Sequence, residues 1–176
     1  MTKSTEVSVV AHTMNRIDIA TGVKFDDFIA AFEKAAPPVD RAAGQEIVER
    51  GGSWDEVLAV AETNAPHGLM VYTKIDALPF FSVAGHTTKA VEYLLGNHTI
   101  AETMFRHDPK ALLYAPLRLL IHADAEGNAV FSMDQPGPAF ASLGITDVAE
   151  VGQSLDRKVV NLLRVIGIEA EPAFSR

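Results

Sequence analysis

The chain has 176 residues, 48% hydrophobic and 22% charged, which suits one domain of roughly 100–200 residues with its own core and excludes disorder. Against 23 Asp and Glu stand only 15 Lys and Arg, a net charge of −8 that argues against nucleic acid and anionic membrane as partners. The absence of Cys excludes disulfides, thiolate catalysis and Cys-ligated zinc together.

Along the chain, the opening MTKSTEVSVVAHTM holds only Val9-Val10-Ala11 as an apolar run. That run is too short for a signal-peptide core, so a cytoplasmic protein is expected. Val7 to Ile19 reads as an extended segment, with Ile17 and Ile19 on one face and Gly22 closing it. Phe25, Phe28, Ile29 and Phe32 then form one helical stripe, with Asp26 and Asp27 in the first turn and Pro37-Pro38 beyond its end. A second helix is expected from an Asp40 cap to Gly51-Gly52. A third opens on the capping box Ser53-Trp54-Asp55-Glu56 and closes at Pro66.

Strand signals follow. Leu69 to Ile75 alternates, Pro79 to Val83 is apolar and aromatic, and Val91 to Leu95 is stopped by Gly96. Thr99-Ile100-Ala101-Glu102 reads as a capping box for a short helix limited by Pro109. Leu117 to Asp124 and Ala129 to Asp134 read as a hairpin around Ala125-Glu126-Gly127, with the glycine left-handed. If the apolar halves of both strands share a face, directly opposed residues sum to 252. Ile121 then meets Phe131, Leu119 meets Met133, His122 meets Val130 and Arg118 meets Asp134. A last helix, capped by Thr146, carries Val148, Val151, Leu155, Val159, Leu162 and Ile166 and ends at Gly167. About six strands with several helices describe a single α+β domain over residues 1–176, its mainly antiparallel sheet covered by helices on one face.

Chemistry is thinly marked. His86, His98, His107 and His122 cluster in sequence. No pair has metal-ligand spacing, and His98 and His107 at opposite ends of one helix would stand about 13 Å apart. No metal and no cofactor is expected. Leu95-Gly96-Asn97-His98-Thr99 is a strand, a turn and a helix start, either an anion cradle or an ordinary connection whose N–H groups are already satisfied. Asn97-His98-Thr99 is read as that turn and not as a glycosylation site. Arg118, His122 and Asp134 share a polar sheet face that is open to solvent, lines a ligand cavity, or forms a dimer interface. Tyr72 and Tyr93, with Phe80 and Phe81, make the sheet region aromatic, as core or as the wall of an apolar pocket.

The run Tyr93 to Glu102, the entry Tyr114-Ala115-Pro116-Leu117-Arg118 and the hairpin at Glu126-Gly127-Asn128 together resemble the domain of unknown function 302 family. The resemblance is best from about Thr88 to Pro136. It implies a small α+β domain with an antiparallel sheet, a homodimer, and no transferable catalytic residues. The family's simpler members are shorter, so the helical segments between Asp40 and Pro66 read as an insertion. Three functions stay open. The first is a dimeric protein binding a small, partly apolar ligand through Asn97, His98, Arg118, His122, Asp134, Tyr72 and Tyr93. The second is an enzyme with His98 or His122 as general base and Arg118 as anion anchor. The third is a pure protein–protein interaction module.

Overall fold

The computed structural model describes residues 5–175. Residues 1–4, part of the segment read above for a leader, lie outside that range. Five strands form one antiparallel sheet in the order β1-β5-β4-β3-β2: β1 Arg16–Lys24, β2 Met70–Asp76, β3 Ala90–Gly96, β4 Leu117–Ala123 and β5 Asn128–Asp134. The longer helices are α1 Phe25–Ala35, α2 Arg41–Glu49, α3 Trp54–Asn64, α5 His98–Phe105 and α7 Thr146–Val165. Between and after them come the short α4 Leu78–Phe81, α6 Pro136–Ala141 and α8 Glu171–Phe174.

The β4–β5 hairpin has the expected register, with Leu119 opposite Met133, Ile121 opposite Phe131 and His122 opposite Val130. Its turn explains why. Gly127 sits at φ 76°, its N–H donates to the Asp124 carbonyl at 3.1 Å, and the Asp124 carboxylate accepts from the N–H groups of Glu126 and Asn128. A left-handed third residue of this kind pins a three-residue loop. Every second residue of β4 and β5 then turns inward, and Leu117, Leu119, Ile121, Ala129, Phe131 and Met133 are all buried.

Helices α1 and α7 cover that face. Phe25, Phe28 and Phe32 from α1 and Val148, Leu155, Val159 and Leu162 from α7 belong to the same buried cluster as the inward strand residues. Phe32 is central, its ring 5.1 Å from that of Tyr93 and 6.5 Å from that of Phe131. A smaller cluster joins Ala61 and Ala65 to Met70, with Val39 and Tyr72 packed on it, at the β2 edge. There Pro38 bridges Val71 in parallel.

Several expected elements differ. The Pro79–Val83 strand is helical instead: α4 runs into a 3-10 turn at Ser82–Ala84. The Asp76 side chain accepts from the Leu78 N–H, and Pro79 fits a first helical turn, which it does not obstruct. The sheet therefore has five strands. Gly22, at φ 69°, does not end β1 but lies at an irregularity between Ala20 and Lys24 that β1 passes through. The cap of α5 is Asn97, not Thr99: its side-chain oxygen accepts from the Thr99 N–H at 2.9 Å and from the Thr99 hydroxyl at 2.7 Å. Thr146 is the first residue of α7, whose cap position is Ile145, without a side-chain bond. The Asp40 cap and the Ser53–Glu56 capping box form as expected.

Candidate functional site

The end of β3 delivers the chain into α5, and a cavity of about 150 Å³ opens at that joint. Gly96 makes the joint close. A Cβ there would stand 3.4 Å from the Pro116 Cβ and 3.7 Å from the Tyr72 ring. Tyr72 is placed by an irregularity of β2: the pairing with β3 shifts between Val71 and Thr73, which leaves Tyr72 as the extra residue. Arg41 secures this bulge by donating to the Tyr72 carbonyl at 2.6 Å.

The Tyr72 hydroxyl and His98 Nδ1 lie 2.7 Å apart, with the rings edge to face at 6.4 Å. Both side chains line the cavity, with Leu95, Ile100, Met104, Leu117 and Leu155 as apolar wall. Burial lowers the His98 pKa below its ordinary value, so the imidazole is held neutral. Burial also raises the Tyr72 phenol, against the His98 backbone N–H and the nearby Arg41 charge. The site therefore offers a neutral phenol and a neutral imidazole hydrogen-bonded to each other. No Asp, Glu, Lys or Arg is among the residues that line it.

Of the residues singled out in the sequence, Tyr72, Asn97 and His98 meet at this cavity. Asn97 is committed locally: its oxygen caps α5, and its amide donates to the Gly68 carbonyl at 3.2 Å. Tyr93 stands elsewhere. It faces inward between Val91 and Leu95 and is fully buried against Phe32, and only its hydroxyl reaches a polar partner, Glu33 Oε1 at 2.6 Å. Arg118 and Asp134 line a separate depression on the far side of Pro116, with Met14, Leu94, Tyr114 and Phe140. They continue the register of the hairpin one step past its last paired residues, Leu119 and Met133. Among the described residues no ion pair joins them. Asp134 is paired across to Arg16 of β1. His122 lies further along the same outer face, opposite Ala90 and Val130. His107 falls just past α5, 3.7 Å from Asp147.

The profile of the family described as "Domain of unknown function DUF302" matches residues 48–164, two thirds of the sequence. The chain belongs to the DUF302 family. The match spans α3, which lies between Asp40 and Pro66. The crystal structure of an uncharacterized conserved DUF302 protein from Bacillus stearothermophilus is similar in fold. It has a TM-score of 0.61 at 10% sequence identity, over 86% of this chain and 97% of that one. No curated protein matches the chain. Among the described residues no helix is long and apolar enough to cross a membrane.

Of the other wall residues, Leu95, Gly96, Ala115, Pro116 and Leu117 stand in segments that the sequence marks, but none is marked as a wall. Met104, Leu117 and Leu155 come from α5, β4 and α7, and in sequence each reads as an ordinary core position.

Proposed function

We propose that this DUF302 chain is a cytoplasmic homodimer, each protomer one α+β domain, that binds a small, partly apolar molecule in the Tyr72–His98 cavity. The observation that carries this reading is the cavity itself: an apolar wall from several elements with one hydrogen-bonded phenol–imidazole pair on it. Ligand sites commonly have this makeup, with apolar surface for affinity and a few placed polar groups for orientation. The charge of −8 speaks against nucleic acid and anionic membrane as the partner.

A second reading has the neutral His98 imidazole as a general base, favoured by its contact with the Tyr72 hydroxyl. In that reading Arg118 is not the anion anchor, because it lines a different depression from His98.

A thermal-shift screen of small metabolites on the wild type and on Ala101→Phe, which fills the cavity from α5, tests the binding reading. A ligand at a hundredfold excess over its Kd stabilises the native state by about 2.7 kcal/mol. The expected result is a shift in the wild type that Ala101→Phe loses. Ligands that shift both proteins equally bind elsewhere and overturn the assignment of the cavity.

A further inference from the structure

Across the outer face of the sheet, opposite charges stand side by side without meeting. Arg118 of β4 is paired in register with Leu94 of β3, and Asp134 of β5 with Arg16 of β1. Arg118 and Asp134 are thus the two middle members of one row. Opposite charges at such cross-strand positions attract. Among the described residues, however, neither side chain is in an ion pair. Arg16, the other cation of the row, bonds Asp18 at 2.9 Å instead.

Both charges line the depression beyond Pro116, which has a volume of about 340 Å³. Small-molecule sites occupy roughly 300–1,000 Å³. Met14, Leu94, Leu113 and Pro136 give it apolar walls. The segment that carries Met14 is held in place: Asn15 bonds Gln135 through backbone and side chain, and His12 Nε2 lies 3.1 Å from the Tyr114 hydroxyl. That hydroxyl also accepts from Ser142 Oγ at 3.4 Å. The phenol in the wall is therefore engaged, and the two charges are left for a ligand to address.

A guanidinium holds a carboxylate through two parallel N–H···O bonds, and a carboxylate accepts from an ammonium. A ligand with a carboxylate alone would satisfy Arg118 but stand beside the like charge of Asp134. An amine alone meets the converse. A molecule carrying both groups on one carbon answers both charges and leaves its side chain to the apolar walls.

We propose that this depression binds a free α-amino acid with an apolar side chain, its carboxylate on Arg118 and its ammonium on Asp134. The site is separate from the Tyr72–His98 cavity and does not depend on it.

The test is an NMR titration of the isotope-labelled full chain with L-leucine, leucinamide and N-acetyl-leucine, followed at the amides of Tyr114, Arg118 and Asp134. Leucinamide lacks the negative charge and N-acetyl-leucine the positive one. L-Leucine is expected to bind at least about tenfold more tightly than either, the worth of one charge-assisted hydrogen bond. Arg118→Gln should weaken L-leucine at least about tenfold while leucinamide binds as well as before or better. Asp134→Asn should weaken L-leucine likewise while N-acetyl-leucine holds or gains. Misfolding would weaken all three compounds together and could not produce this exchange of preference. L-Leucine no tighter than its blocked forms, or bound equally by the wild type and both variants, overturns the proposal. So does a response confined to residues 98–104, which would place the amino acid in the Tyr72–His98 cavity, and so does no response to any of the three.

Discussion

Gln135 is the polar side chain most fully enclosed among the described residues, and it ties four parts of the chain together. Its Oε1 accepts from Asn15 at 2.9 Å, its Nε2 donates to Asp156 at 2.9 Å and to the Phe174 carbonyl at 3.2 Å, and its backbone N–H donates to the Asn15 carbonyl at 2.8 Å. Asp156 also accepts from the Gly137 N–H at 2.9 Å. Burial raises the Asp156 pKa, and the bonds from Gly137 and Gln135 hold the rise back. Gln135→Leu keeps the bulk but strips the carboxylate and a carbonyl of their donor, at about 1–3 kcal/mol. A raised carboxyl pKa makes stability fall as pH climbs above the unfolded value of 3.8, and the variant raises it further. Thermal melts should therefore show a larger deficit at pH 7 than at pH 4, with Tm lower by roughly 2–4 °C per kcal/mol. An equal deficit at both pH values would place the loss in packing and not in the carboxylate. Nothing in the sequence marks Gln135, because its partners are distant in the chain. Asn97 and His98 were legible because a glycine turn before a helix is a local pattern, and Tyr72 only as one aromatic among four.

At the scale of elements, the short α6 packs across α7 through glycine. A Cβ on Gly152 would stand 2.8 Å from the Phe140 Cβ and 3.4 Å from the Gly137 Cα. Phe140 is fully buried and has no room to retreat. Gly152→Ala sets a helix-propensity gain of about 0.5–1 kcal/mol against an overpacking cost of about 1–3 kcal/mol, so the variant should be the less stable. Urea unfolding checks the sign, and an unchanged or higher midpoint would mean that α6 slides freely on α7. Local periodicity made α1, α7 and the β4–β5 register readable, because one face of each had to be buried. It gave no signal for α6, whose opening Pro136-Gly137-Pro138 carries no apolar period although Pro suits the first turn of a helix. It failed at α4, where Phe80-Phe81-Ser82-Val83 has the composition of a strand but the Asp76 side chain engages the Leu78 N–H.

Among the described residues, no helix packs over the middle of the second face of the sheet. Helices α1 and α7 lie over the inward residues, while Leu94, Arg118, Leu120, His122 and Val130 alternate with them and point the other way. Leu120 lies mid-strand, opposite Glu92 on one side and Ser132 on the other, and is 38% exposed. If this face is the contact of the proposed homodimer, Leu120 is buried on assembly. Leu120→Asp then places a charge in the contact and beside Glu92, a large penalty in the dimer. In the free protomer the cost is about 1–2 kcal/mol, because Asp is disfavoured in a strand and stands opposite the like-charged Glu92. Light scattering at micromolar concentration should give twice the 19.0 kDa chain mass for the wild type and the single mass for the variant, with circular dichroism unchanged. A wild-type monomer would overturn the dimer. A dimer indifferent to Leu120→Asp would move the contact to another exposed apolar surface, such as the α4 turn, where Phe80 and Val83 are 83% and 90% exposed. Phe80→Ser would then be the substitution that separates the protomers.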